Sequence, residues 1–286
     1  MIACPVCAWH CNERFPGLYS CQSCGHMFAP LADLEPQFFE KLYGRDYFYG
    51  DEYADYLADA ELHRRNARLH LSTLLDAMGK GRERGAMLEV GCAYGFFLRE
   101  AFDRGFDAEG IDISPDATEY ARQHGLRARN VTLDAFEPNI RFRVACMWDT
   151  IEHLPKPMDA LTRLGELVEP GGWLAVSTGD LSSYIATLRG PKWRMIHPPT
   201  HVHYFTKSSI RKALDYAGFD LVAIEHAGQF RSLPSVVRNI GALQHRDVHR
   251  TVRLLETMPI VGVPIYSNLR DVMTVIGQRR NDDSAC

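Results

Sequence analysis

The chain has 286 residues, a formal net charge of −4 and a hydrophobic fraction of 46%. That length buries a full core and leaves room for one large domain and a small extra module. The composition is that of a soluble globular protein, and the acidic balance gives no global attraction to nucleic acid or an anionic membrane.

At the N-terminus, Met-Ile-Ala-Cys-Pro lacks a basic segment followed by an apolar core, so no signal peptide is expected. No apolar run approaches the roughly 20 residues that span a bilayer, and the expected compartment is the cytoplasm. Five of the eight cysteines fall in the first 24 residues, a clustering that speaks for metal rather than disulfides. Cys4-Pro-Val-Cys7 and Cys21-Gln-Ser-Cys24 are two C-x2-C turns separated by thirteen residues. Each turn places two thiolates on one side of a knuckle, and two knuckles complete a tetrahedral zinc site. Gly25 suits the tight turn after the second pair. The segment is too short for its own core, so structural Zn2+ at Cys4, Cys7, Cys21 and Cys24 would supply its folding energy. His10, Cys11 and His26 are substitute ligands that do not improve the spacing.

Residues 36–60 are rich in aromatics, among them Tyr43, Tyr47 and Tyr56, and glycines at 44 and 50 break any long helix. Most of these rings are expected to pack on the main domain. Glu61–Met78 has the spacing of an amphipathic helix with Leu62, Leu69, Leu74, Leu75 and Met78 toward the core. Arg64, Arg65 and Arg68 are expected to be solvated. Gly79, Gly81 and Gly85 end the helix.

Met87, Leu88 and Val90 form a strand-type run, and Phe96, Phe97, Leu98 and Ala101 begin a helix. The turn between them carries Gly91 and Gly95, where the backbone can approach a ligand closely, and the helix N-terminus beyond offers unpaired N–H groups. The turn is not a dinucleotide fingerprint, because Ala93 and Phe96 stand where that pattern needs glycine. It resembles the E/D-x-G-x-G-x-G loop of class I S-adenosylmethionine (SAM) methyltransferases. The resemblance implies that Glu89 orders the loop and that Gly91 and Gly95 admit the methionine part of SAM, with Ala93 costing one methyl of space. Phe106–Asp112 reads as the second strand, followed by Ser114, Pro115 and Asp116 as cap, first position and first-turn charge of a helix. Asp112, about 20 residues past the first glycine, is placed to take hydrogen bonds from ribose hydroxyls. Asn130–Ala135 is expected as the third strand and its exit, with Leu133 and Asp134 as adenine candidates.

Val144–Asp149 reads as the fourth strand, leading into D-T-I-E-H-L-P-K-P; Lys156–Val168 then has helical spacing, and Glu-Pro-Gly-Gly-Trp leads to a strand Trp173–Thr178. D-x-x-E-H-L followed by a helix, P-G-G and a strand resembles the region after the fourth strand in small-molecule SAM methyltransferases. Phe142-Arg143 departs from the phenylalanine-aspartate that usually opens that strand. The resemblance covers about residues 86–178. It also marks Leu42–Phe48 as similar to a lid over the cofactor, with Tyr43 and Tyr47 as cofactor contacts. Alternating strands and helices predict a parallel sheet with helices on both faces, and a ligand beyond the strand C-termini. Gly91, Asp112, Asp149, His153 and Gly179 all fall there.

Gly179–Thr206 has a loop composition, with four prolines and glycines, three histidines and three aromatics in its later part. Thr206 is expected to cap a helix ended by Gly218. The run Pro199-Thr-His-Val-His-Tyr-Phe-Thr206, with Ala217-Gly-Phe219 after that helix, resembles methyltransferases that often act on saccharides and natural products. In them this loop closes the substrate pocket. Methyl transfer aligns a nucleophile with the methyl carbon and the leaving sulfur, and an alcohol must also lose its proton, for which histidine is suited. The candidates are His201, His153 and His203, with Tyr204 orienting substrate. Trp193 and Arg194 are candidates for a stacking platform and an anion clamp. His197, His201 and His203 as a metal site lack helical ligand geometry and an evident acid.

Asp220–His226 and Asp271–Gln278 read as the last two strands, and Leu254–Tyr266 is apolar enough for a dimer contact or a pocket wall. The expected protein is a Rossmann-like α/β fold of seven strands with a small N-terminal zinc ribbon. Residues 1–30 are the ribbon, 31–80 an aromatic-rich lid and helix, 81–280 the methyltransferase domain with substrate loop 179–206, and 281–286 a tail. The expected reaction is methyl transfer from SAM to a hydroxyl of a sugar or small metabolite, such as a nucleotide- or phosphate-linked sugar. Two alternatives stand beside it: an rRNA base methyltransferase with a zinc ribbon, which the absence of a basic stripe disfavours, and a non-catalytic SAM-binding or zinc scaffold.

Overall fold

The computed structural model describes residues 2–31, 56–79, 84–233, 236, 237, 251, 255 and 264–281. Tyr43, Tyr47 and most of the expected lid and dimer segments lie outside the described residues. The N-terminal strands are β1 Ile2–Ala3, β2 His10–Phe15, β3 Leu18–Cys21 and β4 Met27–Phe28. The main domain contributes helices α1 Ala60–Met78, α2 Phe96–Asp103, α3 Pro115–Gln123, α4 Pro157–Leu167, α5 Tyr184–Arg189 and α6 Lys207–Tyr216. Its strands are β5 Ala86–Val90, β6 Asp107–Asp112, β7 Arg127–Asn130, β8 Phe142–Trp148, β9 Val168–Gly179, β10 His203–Tyr204, β11 Phe219–Glu225, β12 Gln229–Arg231, β13 Ile265–Ser267 and β14 Val272–Arg279.

Seven strands form the central sheet in the order β11-β14-β9-β8-β5-β6-β7. Strands β5 to β9 pair parallel, and β14 inserts antiparallel between β9 and β11. The middle strands are near-continuous apolar runs because helices cover both faces. Alternation along each strand sends successive side chains to opposite cores. Leu88 and Val90 pack with Leu161, Leu164, Ile210 and Leu214 on one face, whereas Met87, Cys146 and Trp173 pack with Leu71, Leu74, Phe97 and Ala101 on the other. The expected α/β architecture is therefore the observed one.

Local signals held at the helix starts. Ser114 accepts from the Ala117 N–H with Pro115 at the first position, and Thr206 and Ser209 form a reciprocal capping box. Three expectations need correction. The third strand ends at Asn130, since the alternating Arg-Ala-Arg-Asn run pairs along β6 and the chain turns afterwards. Helix α1 buries Leu62, Ala67, Leu71, Leu74 and Met78 and packs Leu75 against the same core, leaving Leu69 half-buried. Arg64 and Arg68 are not simply solvated, for both grip the buried Glu100 at 3.0 Å. Burial pushes the Glu100 carboxyl up, but hydrogen bonds from the two guanidinium groups outweigh it and hold it below the usual range.

The loop 179–206 carries more regular structure than its composition suggests. Ser183 caps α5 through the Ala186 N–H, and β10 joins the N-terminal sheet, whose order is β1-β2-β3-β4-β10. His203 pairs with Phe28 and Tyr204 with Met27. A two-residue strand in a proline-rich loop exists because the N-terminal module offers it an edge. No helix among the described residues is long and apolar enough to cross a membrane.

Candidate active site

The turn after β5 is held by its own backbone and by Asp112 at the end of β6. The N–H groups of Gly91 and Cys92 donate to the Ile111 carbonyl at 2.9 and 3.1 Å. The Asp112 carboxylate accepts from the Ala93 N–H and the Ser114 N–H, both at 2.8 Å. Burial pushes the Asp112 carboxyl up, against these N–H groups, which favour its ionised form. Gly91 has φ +76°, and a Cβ there would stand 2.5 Å from the Thr150 hydroxyl oxygen; Gly95 has φ +79°, with Leu126 Cδ1 at 2.6 Å from such a Cβ. Neither position admits a side chain. Ala93 sits at φ +44°, so the departure from glycine places an alanine in the left-handed region, where L-residues are disfavoured. Beneath the loop Glu89 is buried, its Oε2 without a partner among the described residues. Burial first, then the Asp112 charge, push its carboxyl well up. Tyr56, from the aromatic run, stacks on Tyr94 at 5.4 Å and Phe96 at 5.8 Å, walling the loop. Leu133 is buried in the core and Asp134 is exposed, both in the turn after β7.

A second cluster lies past β8. Asp149 has φ +48°; its N–H donates to Ser177 Oγ at 2.8 Å and that hydroxyl returns a 2.7 Å bond to Oδ1. His70 of α1 stacks on Trp148 at 4.3 Å, a contact that sequence reading did not find. Residues 152–155 are then stitched to 200–203. The Val202 N–H donates to the Glu152 carbonyl at 2.9 Å, His153 Nδ1–H to the Thr200 carbonyl at 2.9 Å, and His203 Nε2–H to the Pro155 carbonyl at 3.4 Å. The stitching brings His153 and His201 edge to face at a centroid distance of 4.6 Å. His197 lies 3.8 Å from His201 by the same measure. His201 is 7% exposed and donates Nδ1–H to the Met195 carbonyl at 2.9 Å. Burial, then the neighbouring imidazoles, push its basicity well down, and burial lowers His153 to about 4.

The structure separates the four catalytic candidates. His153 and His201 meet, whereas His203 and Tyr204 point into the loop's supports. His203 uses Nε2 toward Pro155 and accepts at Nδ1 from His26 Nε2–H at 3.1 Å. Tyr204 is 2% exposed and donates to the His201 carbonyl at 2.6 Å. Trp193 is likewise core, not an open platform: its Nε1–H donates to Asp271 at 2.9 Å, and Arg194 reaches the same carboxylate at 3.0 Å.

The N-terminal cysteines converge as their spacing predicted. Sγ separations are 3.7 Å for Cys4–Cys24, 3.5 Å for Cys7–Cys21 and 3.6 Å for Cys7–Cys24. Zn–S bonds of about 2.3 Å in a tetrahedron set sulfurs about 3.8 Å apart, so the set fits that ion. Backbone N–H groups of Ser23 and Cys24 point at Cys21 Sγ, both at 3.4 Å, in the manner of a metal knuckle. Cys11 lies outside the four, and His26 is turned away toward His203. The module docks through Thr206, whose hydroxyl donates to the Cys24 carbonyl at 2.9 Å. The residue that sequence reading missed is Glu152, and His26, a substitute metal ligand by sequence, instead partners His203. The E-H pair was visible in the motif, but the burial of Glu152 was not.

Residues 59–224, more than half of the chain, match the family model described as a methyltransferase domain. Among curated proteins, a ubiquinone biosynthesis O-methyltransferase of Burkholderia multivorans is 33% identical over 128 residues, 40% of this chain and 54% of that protein. One from Burkholderia pseudomallei is 28% identical over 155 residues, 49% of this chain and 66% of that protein. The chain thus spans about half to two thirds of the length of these relatives. Among solved structures, a SAM-dependent methyltransferase of Thermotoga maritima, described as a possible histamine N-methyltransferase, matches with a TM-score of 0.51 and 17% identity over 85% of this chain and 99% of that one. Magnesium protoporphyrin IX methyltransferase of Synechocystis, with bound S-adenosylhomocysteine, matches with a TM-score of 0.51 and 15% identity over 84% and 99%. This chain belongs to the methyltransferase-domain family and shares the fold of SAM-dependent methyltransferases of known structure.

Proposed function

We propose that the protein transfers a methyl group from SAM to a hydroxyl of a small molecule, a sugar or another natural product. The observation that carries this reading is the meeting of His153 and His201 on the strand-end side that also bears the glycine turn and Asp112. SAM would lie over Gly91–Gly95, with its ribose hydroxyls on Asp112 and Glu89 supporting the turn from below. Asp149 closes the same side. Oxygen as the acceptor atom is supported by the relatives, which are O-methyltransferases by name.

In this reading the loop 195–205 forms the acceptor pocket. His201 Nδ1–H is committed to Met195, so Nε2 carries the lone pair of the neutral ring. The His153–His201 pair takes up the hydroxyl proton while the oxygen attacks the methyl carbon. His203 and Tyr204 hold the loop, and Cys4, Cys7, Cys21 and Cys24 hold a structural zinc ion that braces it. The test is an assay with methyl-labelled SAM against two acceptor sets, nucleotide-linked sugars and phenolic metabolites. Label recovered as a methyl ether supports the reading. Label found only on carbon, on nitrogen or in rRNA would overturn it.

A further inference from the structure

A cleft beside the histidine loop is lined by positive charge. It holds about 240 Å³ of open space between Arg194, Arg231, Arg270, Gln229, Asn268 and Asp271, and Asp271 is the sole acid among the described residues of its lining. Val272, which also lines it, pairs with Gly179 at the C-terminal end of β9, so the cleft lies on the strand-end side of the sheet. Pockets that enclose a whole small ligand run to roughly 300–1,000 Å³. This one suits the charged end of a molecule whose remainder lies elsewhere.

The donors in the cleft are arranged by the fold. Asp271 is 2% exposed and is occupied from within, accepting from Trp193 Nε1–H at 2.9 Å and from Arg194 Nη2–H at 3.0 Å. That pair fixes the Arg194 guanidinium but uses only part of its five N–H donors. Nη1 faces the Met195 sulfur at 3.4 Å, a weak acceptor, and Nε is buried with no partner among the described residues. A buried donor left without an acceptor is costly. Arg231 donates from Nη2 to Gln229 Oε1 at 2.8 Å, which ties it to the same wall. Arg270 is exposed, on a turn held by Asn268. The Asn268 Oδ1 accepts the Arg270 N–H at 2.9 Å, while its amide donates to the His226 carbonyl at 2.7 Å.

We propose that this cleft binds a phosphoryl group of the methyl acceptor. Three guanidinium groups face one carboxylate, leaving an excess of two positive charges. A phosphate monoester near its dianionic form, or a diphosphate ester, balances that excess, whereas a carboxylate would leave half of it unmatched. The planar fork of arginine also suits phosphate oxygens, which it can bind two at a time. Arg194 immediately precedes Met195, whose carbonyl accepts His201 Nδ1–H at 2.9 Å. Given the loop 195–205 as the acceptor pocket, on which this assignment rests, the charged end is anchored beside the segment that orients His201. The acceptor is then a phosphorylated or nucleotide-linked molecule, not a neutral phenol. No bond is made or broken in the cleft, whose contribution is to affinity and alignment.

The test is calorimetric titration of the full chain, loaded with zinc and S-adenosylhomocysteine, with inorganic phosphate, inorganic pyrophosphate and acetate. One phosphate or pyrophosphate per chain is expected and acetate should not bind. Affinity should weaken at least about ten-fold in Arg270→Glu, which reverses an exposed charge, and in Arg194→Lys, which keeps a cation for Asp271 and loses the fork. Tighter binding of pyrophosphate points to a diphosphate ester, and equal binding to a monoester. Unchanged S-adenosylhomocysteine affinity shows that both variants remain folded. No binding of either anion by the wild type, or equal binding by the wild type and both folded variants, overturns the proposal. Anion binding that both variants lose, without methyl transfer to any hydroxyl, would retain the cleft and remove the proposed reaction. Methyl transfer to a hydroxyl by a chain that binds neither anion would do the reverse.

Discussion

His201→Ala is expected to lower kcat by about 10²–10⁴-fold, the range for losing a group that manages a reacting proton. Affinity for S-adenosylhomocysteine should not change, because the contacts of His201 among the described residues are with the loop and His153. The split between the two readouts is what matters. A destabilised loop that merely opened the cofactor site would weaken both together. The variant leaves the Tyr204 bond intact, since that hydroxyl donates to the backbone carbonyl at 201. Steady-state kinetics beside calorimetric titration give the result, and unchanged kcat would remove His201 from the reaction.

Cys24→Ser should have the largest structural effect of any single substitution in the N-terminal module. Its sulfur lies 3.7 Å from that of Cys4 and 3.6 Å from that of Cys7. Structural zinc contributes about 10–16 kcal/mol in small metal-folded modules at pH 7, and a segment of this size has little core to replace it. Loss of the module frees β10, removes the Thr206–Cys24 bond and leaves His203 without His26. Zinc content should drop to near zero and turnover should fall with it. The central sheet and the affinity for S-adenosylhomocysteine should persist, because the hydrogen bonds that hold the glycine turn come from Ile111 and Asp112 in the main domain. Full turnover without zinc would show that the module does not brace the loop.

The parts of this molecule that were legible in the sequence are those set by local rules. Apolar runs such as Met-Leu-Glu-Val and Val-Ala-Cys-Met-Trp announce buried parallel strands, the Ser114 and Thr206 caps mark helix starts, and paired C-x2-C turns announce four converging sulfurs. Tertiary partnership was not legible. Nothing local tells that Arg64 and Arg68 close on Glu100, that Trp193 points at Asp271, or that a proline-rich loop supplies the fifth strand of the N-terminal sheet. The histidine loop shows the division most clearly. Its composition flagged chemistry, but three rings close in sequence proved to have different surroundings. His201 meets His153, His197 leans on His201, and His203 faces the N-terminal module. Glu152 stood in a recognisable motif, and only its burial sets it apart from an ordinary surface acid.

The central claim is that the turn at Gly91–Gly95 with Asp112 is a SAM site, and calorimetric titration with S-adenosylhomocysteine tests it most directly. Wild type should bind at one site per chain, and Asp112→Ala should bind more weakly, having lost both the ribose acceptor and the carboxylate that fixes the Ala93 and Ser114 N–H groups. Absence of binding by the wild type would contradict the account and leave the turn as an ordinary strand-to-helix connection.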